Sequence, residues 1–167
     1  MPAKRSTNLK KRSSRQRTSK APSYVGLRPA SRSASTVKSR IRSGNTRAEL
    51  QLRKTLFALG LRYRLHVAYL PGRPDVVFSG SRVAVFCDGD FWHGRNWRAR
   101  RARLKAGTNA GYWIDKIRYN MARDKRQTRQ LQREGWIVIR IWESVILQDP
   151  SAAARRILLA VAKHRHR

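Results

Sequence analysis

Asp75, Asp88, Asp90 and His93 gather in one segment, PGRPDVVFSGSRVAVFCDGDFWH, of a chain that is otherwise poor in acid. Only nine Asp and Glu stand against 39 Lys and Arg, for a net charge of +30. Hydrolysis of a phosphodiester needs an activated water, charge stabilisation on the phosphoryl oxygens and help for the leaving oxygen, and magnesium supplies much of this. Magnesium takes oxygen ligands and keeps several waters, so one or two carboxylates with a backbone carbonyl and a substrate phosphate suffice. Asp75 and the Cys87-Asp88 turn meet that need. An imidazole titrates near neutrality, so His93 could take a proton from water.

Each of these residues also has a plainer reading. Asp75 follows a proline and could be a turn residue, yet a carboxylate against a buried hairpin needs compensation. Asp88 and Asp90 flank Gly89 and could form a turn; a site role is expected for Asp88, a turn or DNA-facing role for Asp90. His93 alone would be structural, and its place behind acids and aromatics makes it a base candidate. Glu49 has capping-box spacing from Thr46, which is compatible with a site role. Phe91, Trp92 and Trp113 are large hydrophobes as well as candidate stacking groups. Asp124 and Glu143 are expected to pair with arginines, and His66 carries no signal.

The elements that must position these groups follow from pattern. Thr46 starts a helix with Ala48, Leu52, Leu56 and Leu59 on one face, ended by Gly60. Leu61, Tyr63, Leu65 and Val67 alternate as a first strand. Asp75 to Phe78 is a second strand, Ser79-Gly80-Ser81 a hairpin turn, and Val83 to Cys87 a third strand, apolar enough to be central. Asn96 to Asn109 lacks a clean period and reads as a loop whose helical content is left open. A long helix through Ile114, Ile117, Met121, Thr128 and Leu131 ends at Gly135. Trp136 to Trp142 is a strand with Trp136 and Trp142 in the core, and Asp149-Pro150 caps a final helix to Lys163. The order is αβββαβα.

Composition bounds the partner. A length of 167 residues with 40% hydrophobic residues and five Trp makes one domain with a sizeable core. The basic excess points to a polyanion, nucleic acid first. No apolar run approaches the roughly 20 residues of a membrane helix, so no membrane partner is expected. The lone Cys87 excludes an intramolecular disulfide and fits a reducing compartment. No apolar secretory signal opens the chain, although its Ser- and Arg-rich start resembles a transit peptide. Residues 1–40 hold twelve Lys or Arg, twelve Ser or Thr and no acid, a composition expected to form a disordered, phosphate-binding arm. The folded domain is then expected over 41–167.

Taken in order, the Arg-x-Glu helix ending at Glu49, PGRPD, the apolar strand, DGDFWHG, Tyr112-Trp113-x-x-Lys116-Ile117, Arg123-Asp124-Lys125 and LQREGWIVIRIWE closely resemble the very short patch repair (Vsr) endonucleases from about Ser39 to Trp142. The resemblance implies an α/β, restriction-endonuclease-like αβββαβ core, here with a C-terminal helix. It implies magnesium-dependent nicking of one strand of double-stranded DNA at a T:G mismatch left by deamination of 5-methylcytosine. By position, Asp75 is the implied carboxylate ligand, Cys87 the backbone carbonyl ligand, His93 the general base and Glu49 an acid behind the metal's waters. Phe91, Trp92 and Trp113 match aromatics that wedge into DNA, with Arg73 and Lys116 as further DNA contacts. The family pattern has Thr-His where this chain has Cys87-Asp88, so Asp88 is a candidate metal ligand in its own right. It also has a zinc site where this chain reads Gly94-Arg95-Asn96 and Ser144, so no zinc is expected. A monomer in the bacterial cytoplasm, working on nucleoid DNA beside a cytosine methyltransferase, completes the expectation. The alternatives are a restriction-like or branched-DNA endonuclease of the same fold, and a nonenzymatic basic DNA-binding protein.

Overall fold

The computed structural model describes residues 21–23 and 44–164. The expected arm over 1–40 lies, apart from residues 21–23, outside the described residues. The elements are α1 (Arg47–Ala58), β1 (Val76–Phe78), β2 (Val83–Asp88), α2 (Trp97–Lys105), α3 (Ala110–Arg133), β3 (Ile137–Trp142), α4 (Glu143–Gln148) and α5 (Pro150–Lys163). They make a mixed α/β fold around a three-stranded sheet in the order β1-β2-β3.

Thr46 caps α1 as its spacing predicts: its Oγ1 accepts from the Glu49 N–H at 3.3 Å, satisfying one of the free donors of the first turn. Glu49 reaches back one residue further than in a standard capping box, accepting from the Asn45 N–H at 3.0 Å. Ala48, Leu52 and Leu56 are buried, whereas Leu59 is exposed at the C-cap. Gly60, at φ +74°, ends the helix in the left-handed conformation.

The strand expected over Leu61 to Val67 is not formed. A single antiparallel bridge remains, in which Arg64 and Val77 exchange hydrogen bonds of 2.9 and 2.8 Å. His66 stands at φ +45°, which breaks the extended path. Tyr63 and Val67 would share one face of a strand, yet they join clusters on opposite sides of the sheet. The expected core therefore has three strands rather than four.

The hairpin forms as expected, with Val76 opposite Val85 and Phe78 opposite Val83. The turn through Ser79 to Arg82 closes with the Arg82 N–H donating to the Ser79 carbonyl. Central β2 pairs in parallel with β3, from Val83 opposite Ile137 to Asp88 opposite Trp142. Strand residues alternate between two buried faces. Val76, Phe78, Val83, Val85, Ile139 and Ile141 pack under α1, α4 and α5 through Leu52, Leu56, Ile146 and Ile157. Val77, Ala84 and Phe86 pack on the other face with Val67, Leu70 and Leu131 of α3. Burial on both faces is why β2 reads as an unbroken apolar run.

Two helices depart from expectation. The Asn96 to Asn109 segment contains α2, none of whose residues is buried, so no apolar period could mark it. Its flanking Asn96 and Asn109 both take positive φ, a conformation asparagine tolerates. Six-residue α4 buries only Ile146 and is too short to show a period. Asp149 caps α5 through its Oδ1, 2.8 Å from the Ala152 N–H, with Pro150 at the first turn. Trp136 and Trp142, expected in the core, are half-buried. Among the described residues no helix is long and apolar enough to cross a membrane.

Candidate active site

Asp75 sits just before β1, on buried Pro74 and after Gly72 and Arg73, both at positive φ. Its N–H continues the ladder to the Val85 carbonyl, and its Oδ2 accepts from the Cys87 N–H at 2.7 Å. The carboxylate thus clasps the end of the central strand. Burial pushes its pKa up to about 6; the Cys87 N–H opposes this, the charge of Glu49 adds to it, and His66 and Arg53 offset part.

Glu49 is buried and held by Arg53, whose Nη2 lies 2.8 Å from its Oε2. Arg53 also donates to Asn45 Oδ1 at 2.6 Å and meets His66 Nε2 at 3.1 Å. Burial raises the Cys87 thiol far above its ordinary range, and the charges of Asp75 and Glu49 raise it further. Without a cation the thiol therefore stays protonated, which disfavours it as a nucleophile.

Successive residues of a strand point to opposite faces, so Asp88 projects away from Cys87 into a second group. Arg140 of β3 takes both its oxygens, Nε to Oδ2 at 2.7 Å and Nη2 to Oδ1 at 2.6 Å. Beside them, His93 Nδ1 lies 2.6 Å from Asp124 Oδ2 and 3.6 Å from Asp88 Oδ1. Burial pushes the Asp124 carboxyl up, but the hydrogen bond and charge of His93, with Arg140 and Arg123, outweigh it and hold it below the usual range. An ionised Asp124 only accepts, so His93 Nδ1 is the donor in this contact, and in the neutral ring that tautomer puts the lone pair on Nε2.

Helix α3 carries this loop. Asn120 Nδ2 donates to the Trp92 carbonyl at 3.0 Å, and the His93 N–H closes a turn on the Gly89 carbonyl. At Gly94, φ +76°, a Cβ would stand 2.5 Å from Met121 Sδ, so the loop lies close against the helix in a conformation that favours glycine. Asp90 serves the loop itself, pairing with Arg95 at 3.1 Å and accepting from the Ser144 N–H at 3.5 Å. These ties hold the segment for which the resemblance leaves no zinc.

Both groups line one cleft of about 1230 Å³: Glu49, His66, Asp75 and Cys87 together with Asp88, His93, Asp124 and Arg140. Exposed Arg73 also lines it; Lys116, half-buried on α3, does not. Phe91, Trp92 and Trp113 form one half-buried cluster, with ring centroids 5.1, 5.6 and 5.9 Å apart, and Arg100 lies over Phe91. Among the described residues, no three His, Cys, Asp or Glu side chains make a metal site by themselves. A cation here would rest on one carboxylate, a backbone carbonyl, water and phosphate.

Sequence reasoning missed Arg140 and His66 in the lining of this cleft, and Asn120 and Arg53, which hold Trp92 and Glu49. A lone charge in the apolar run WIVIRIW was the available signal for Arg140. Asp124 does meet Arg123 and Arg140, each at 3.5 Å, but its short bond is to His93. Glu143, expected to pair with arginine, has no ion-pair partner among the described residues and faces the cleft near Gly89.

The family model of the DNA mismatch endonuclease Vsr matches residues 27–99. A type II nicking enzyme of Neisseria meningitidis serogroup C is 42% identical over 120 residues, covering 72% of this chain and 80% of that protein. Another, from Haemophilus parainfluenzae, is 38% identical over 125 residues, covering 75% and 87%. The DNA mismatch endonuclease Vsr of Escherichia coli K12 is 35% identical over 106 residues, covering 64% and 66%. With more than two thirds of the two nicking enzymes covered at this identity, and the family model matching in the same region, the chain belongs to the Vsr family of DNA endonucleases.

Proposed function

We propose that this endonuclease nicks one strand of double-stranded DNA at a T:G mismatch, with magnesium as cofactor, on a restriction-endonuclease-like core. The observation that carries the reading is the cleft itself, which is lined by the Asp75 and Glu49 carboxyls and by the His93–Asp124 pair. Half-buried Asp75, whose proton affinity is raised by burial and by the charge of buried Glu49, suits a divalent cation. Asp75 and the Cys87 carbonyl would hold it, with Glu49 behind its waters. Bound there, magnesium would acidify water and neutralise phosphoryl oxygens.

The protein's own groups do the rest. His93 Nε2 accepts the proton of the attacking water while Asp124 fixes the ring through Nδ1 and stabilises the charge that forms. Water oxygen bonds to phosphorus, the bridging P–O bond breaks, and the leaving oxygen takes up a proton. Arg73, Lys116 and the basic surface hold phosphates. Phe91, Trp92 and Trp113 wedge beside the mismatch, where weak pairing lowers the cost of unstacking. Asp88, with both oxygens on Arg140, is read as a structural partner rather than a metal ligand. The setting is the bacterial cytoplasm, as a monomer alongside a cytosine methyltransferase.

The test is incubation with magnesium and T:G, matched and branched duplexes, each strand labelled separately. A nick in one strand of the T:G duplex alone is expected. Cleavage of matched or branched DNA at the same rate would sink the mismatch assignment, and full cleavage in chelator would sink the cofactor.

A further inference from the structure

Two carboxylates compete for one imidazole N–H. His93 Nδ1 is 2.6 Å from Asp124 and 3.6 Å from Asp88, and it has a single hydrogen to donate. Arg140 separates the two acids. Its planar fork saturates Asp88 at 2.7 and 2.6 Å, a bidentate match that the ammonium of lysine cannot reproduce. The same Nη2 stands 3.5 Å from Asp124 Oδ1, on the side away from the histidine bond at Oδ2. The guanidinium lies 4.5 Å over the Phe86 ring, its cross-strand neighbour on β2. Packing thus fixes it on the face from which Asp88 projects.

We propose that Arg140 is a positioning residue: by engaging both oxygens of Asp88 it leaves Asp124 as the acceptor for His93 Nδ1–H, and so points Nε2 at the cleft. This rests on His93 being the base. Without Arg140, Asp88 is a freed acceptor within reach of the same N–H, and the ring divides between two orientations. A lone arginine in an apolar strand is costly unless paired. The pairing also gives the buried acid at Asp88 its charge partner.

The test compares Arg140→Met, Arg140→Met with Asp88→Asn, Arg140→Lys and His93→Ala. Readouts are single-turnover cleavage at saturating protein, DNA affinity, and the ¹H–¹⁵N imidazole spectrum of the metal-free protein. Arg140→Met should slow cleavage about 10- to 100-fold, the range for residues that orient a functional group, with DNA affinity nearly unchanged. Its His93 Nδ1–H resonance should shift or broaden. Adding Asp88→Asn should recover most of the rate and the resonance, because the competing acceptor has lost its charge. Lysine should give an intermediate rate.

A double variant no better than Arg140→Met would overturn the proposal. So would loss of affinity with an unchanged rate at saturation, which would make Arg140 a phosphate contact. If Arg140→Met cleaves normally while His93→Ala is inactive, this proposal fails and the base assignment stands. If His93→Ala is fully active, the base assignment fails, and the imidazole spectra alone decide what Arg140 does to the ring.

Discussion

His93 Nδ1 meets Asp124 Oδ2 at 2.6 Å across 31 positions of sequence, which turns an ordinary histidine into an oriented one. His93→Ala should lower the single-turnover rate by about 10²- to 10⁴-fold, the usual worth of a general base. Asp124→Asn should fall in the same direction with DNA affinity retained, since the amide can impose the wrong tautomer. Rapid-quench cleavage with a separate binding titration checks both; an unchanged rate would remove His93 from the chemistry.

Asp124 also makes a pH prediction. Its carboxyl lies below the ordinary range when folded, so the unfolded chain binds that proton more tightly. The stabilisation is complete above pH about 4 and is lost as pH falls through the folded value. Urea titrations below pH 5 should show wild type losing more stability than Asp124→Asn.

For Asp75 the sign is opposite. With a folded pKa of about 6, the native state holds the proton more tightly, so stability from this group falls as pH rises from about 4 to 6. Asp75→Asn keeps an acceptor for the Cys87 N–H and removes the buried charge. It should stabilise the metal-free protein at pH 8 by roughly 2–3 kcal/mol and abolish cleavage while sparing DNA binding. Calorimetry at pH 4 and 8 checks the first, a nicking assay the second. Full magnesium-dependent activity in this variant would sink Asp75 as the ligand.

Thr46→Ala should cost about 1 kcal/mol through the lost cap. Because Thr46 Oγ1 also donates to Glu49 Oε1 at 3.1 Å, cleavage should fall more than that stability loss explains. Denaturation and single-turnover rates on the same samples separate the two effects.

DNA binding should weaken steeply with salt, given the net charge of +30. If Lys116 contacts a phosphate, Lys116→Ala should make the slope of log K against log salt shallower by about 0.9 on duplex DNA. Phe91→Ala and Trp113→Ala should leave that slope unchanged and cost about 1–3 kcal/mol per stacking ring, seen as weaker affinity for the T:G duplex.

Local rules made much of the fold legible. The Thr46 cap, the Ser79 to Arg82 turn, central β2 and the Asp149-Pro150 start of α5 all depend on residues close in sequence, whose conformational preferences act before any packing. Asp75, Cys87 and His93 could be singled out because their motif is itself local. Elements without a buried stripe escaped: α2 buries nothing, α4 buries one residue, and the Leu61 to Val67 alternation gave way to the positive φ of His66.

By itself, the sequence determined which chemistry is available, acids and an imidazole in a cationic chain, because residue type sets charge and proton affinity. Tertiary structure alone decided which groups share a site. Alternation along β2 sends Asp75's partner Cys87 and its neighbour Asp88 to opposite faces, and only the parallel pairing of β2 with β3 and the packing of α3 bring Arg140 and Asp124 to His93. Such contacts span dozens of residues and depend on how strands register and helices pack, and no local preference encodes them.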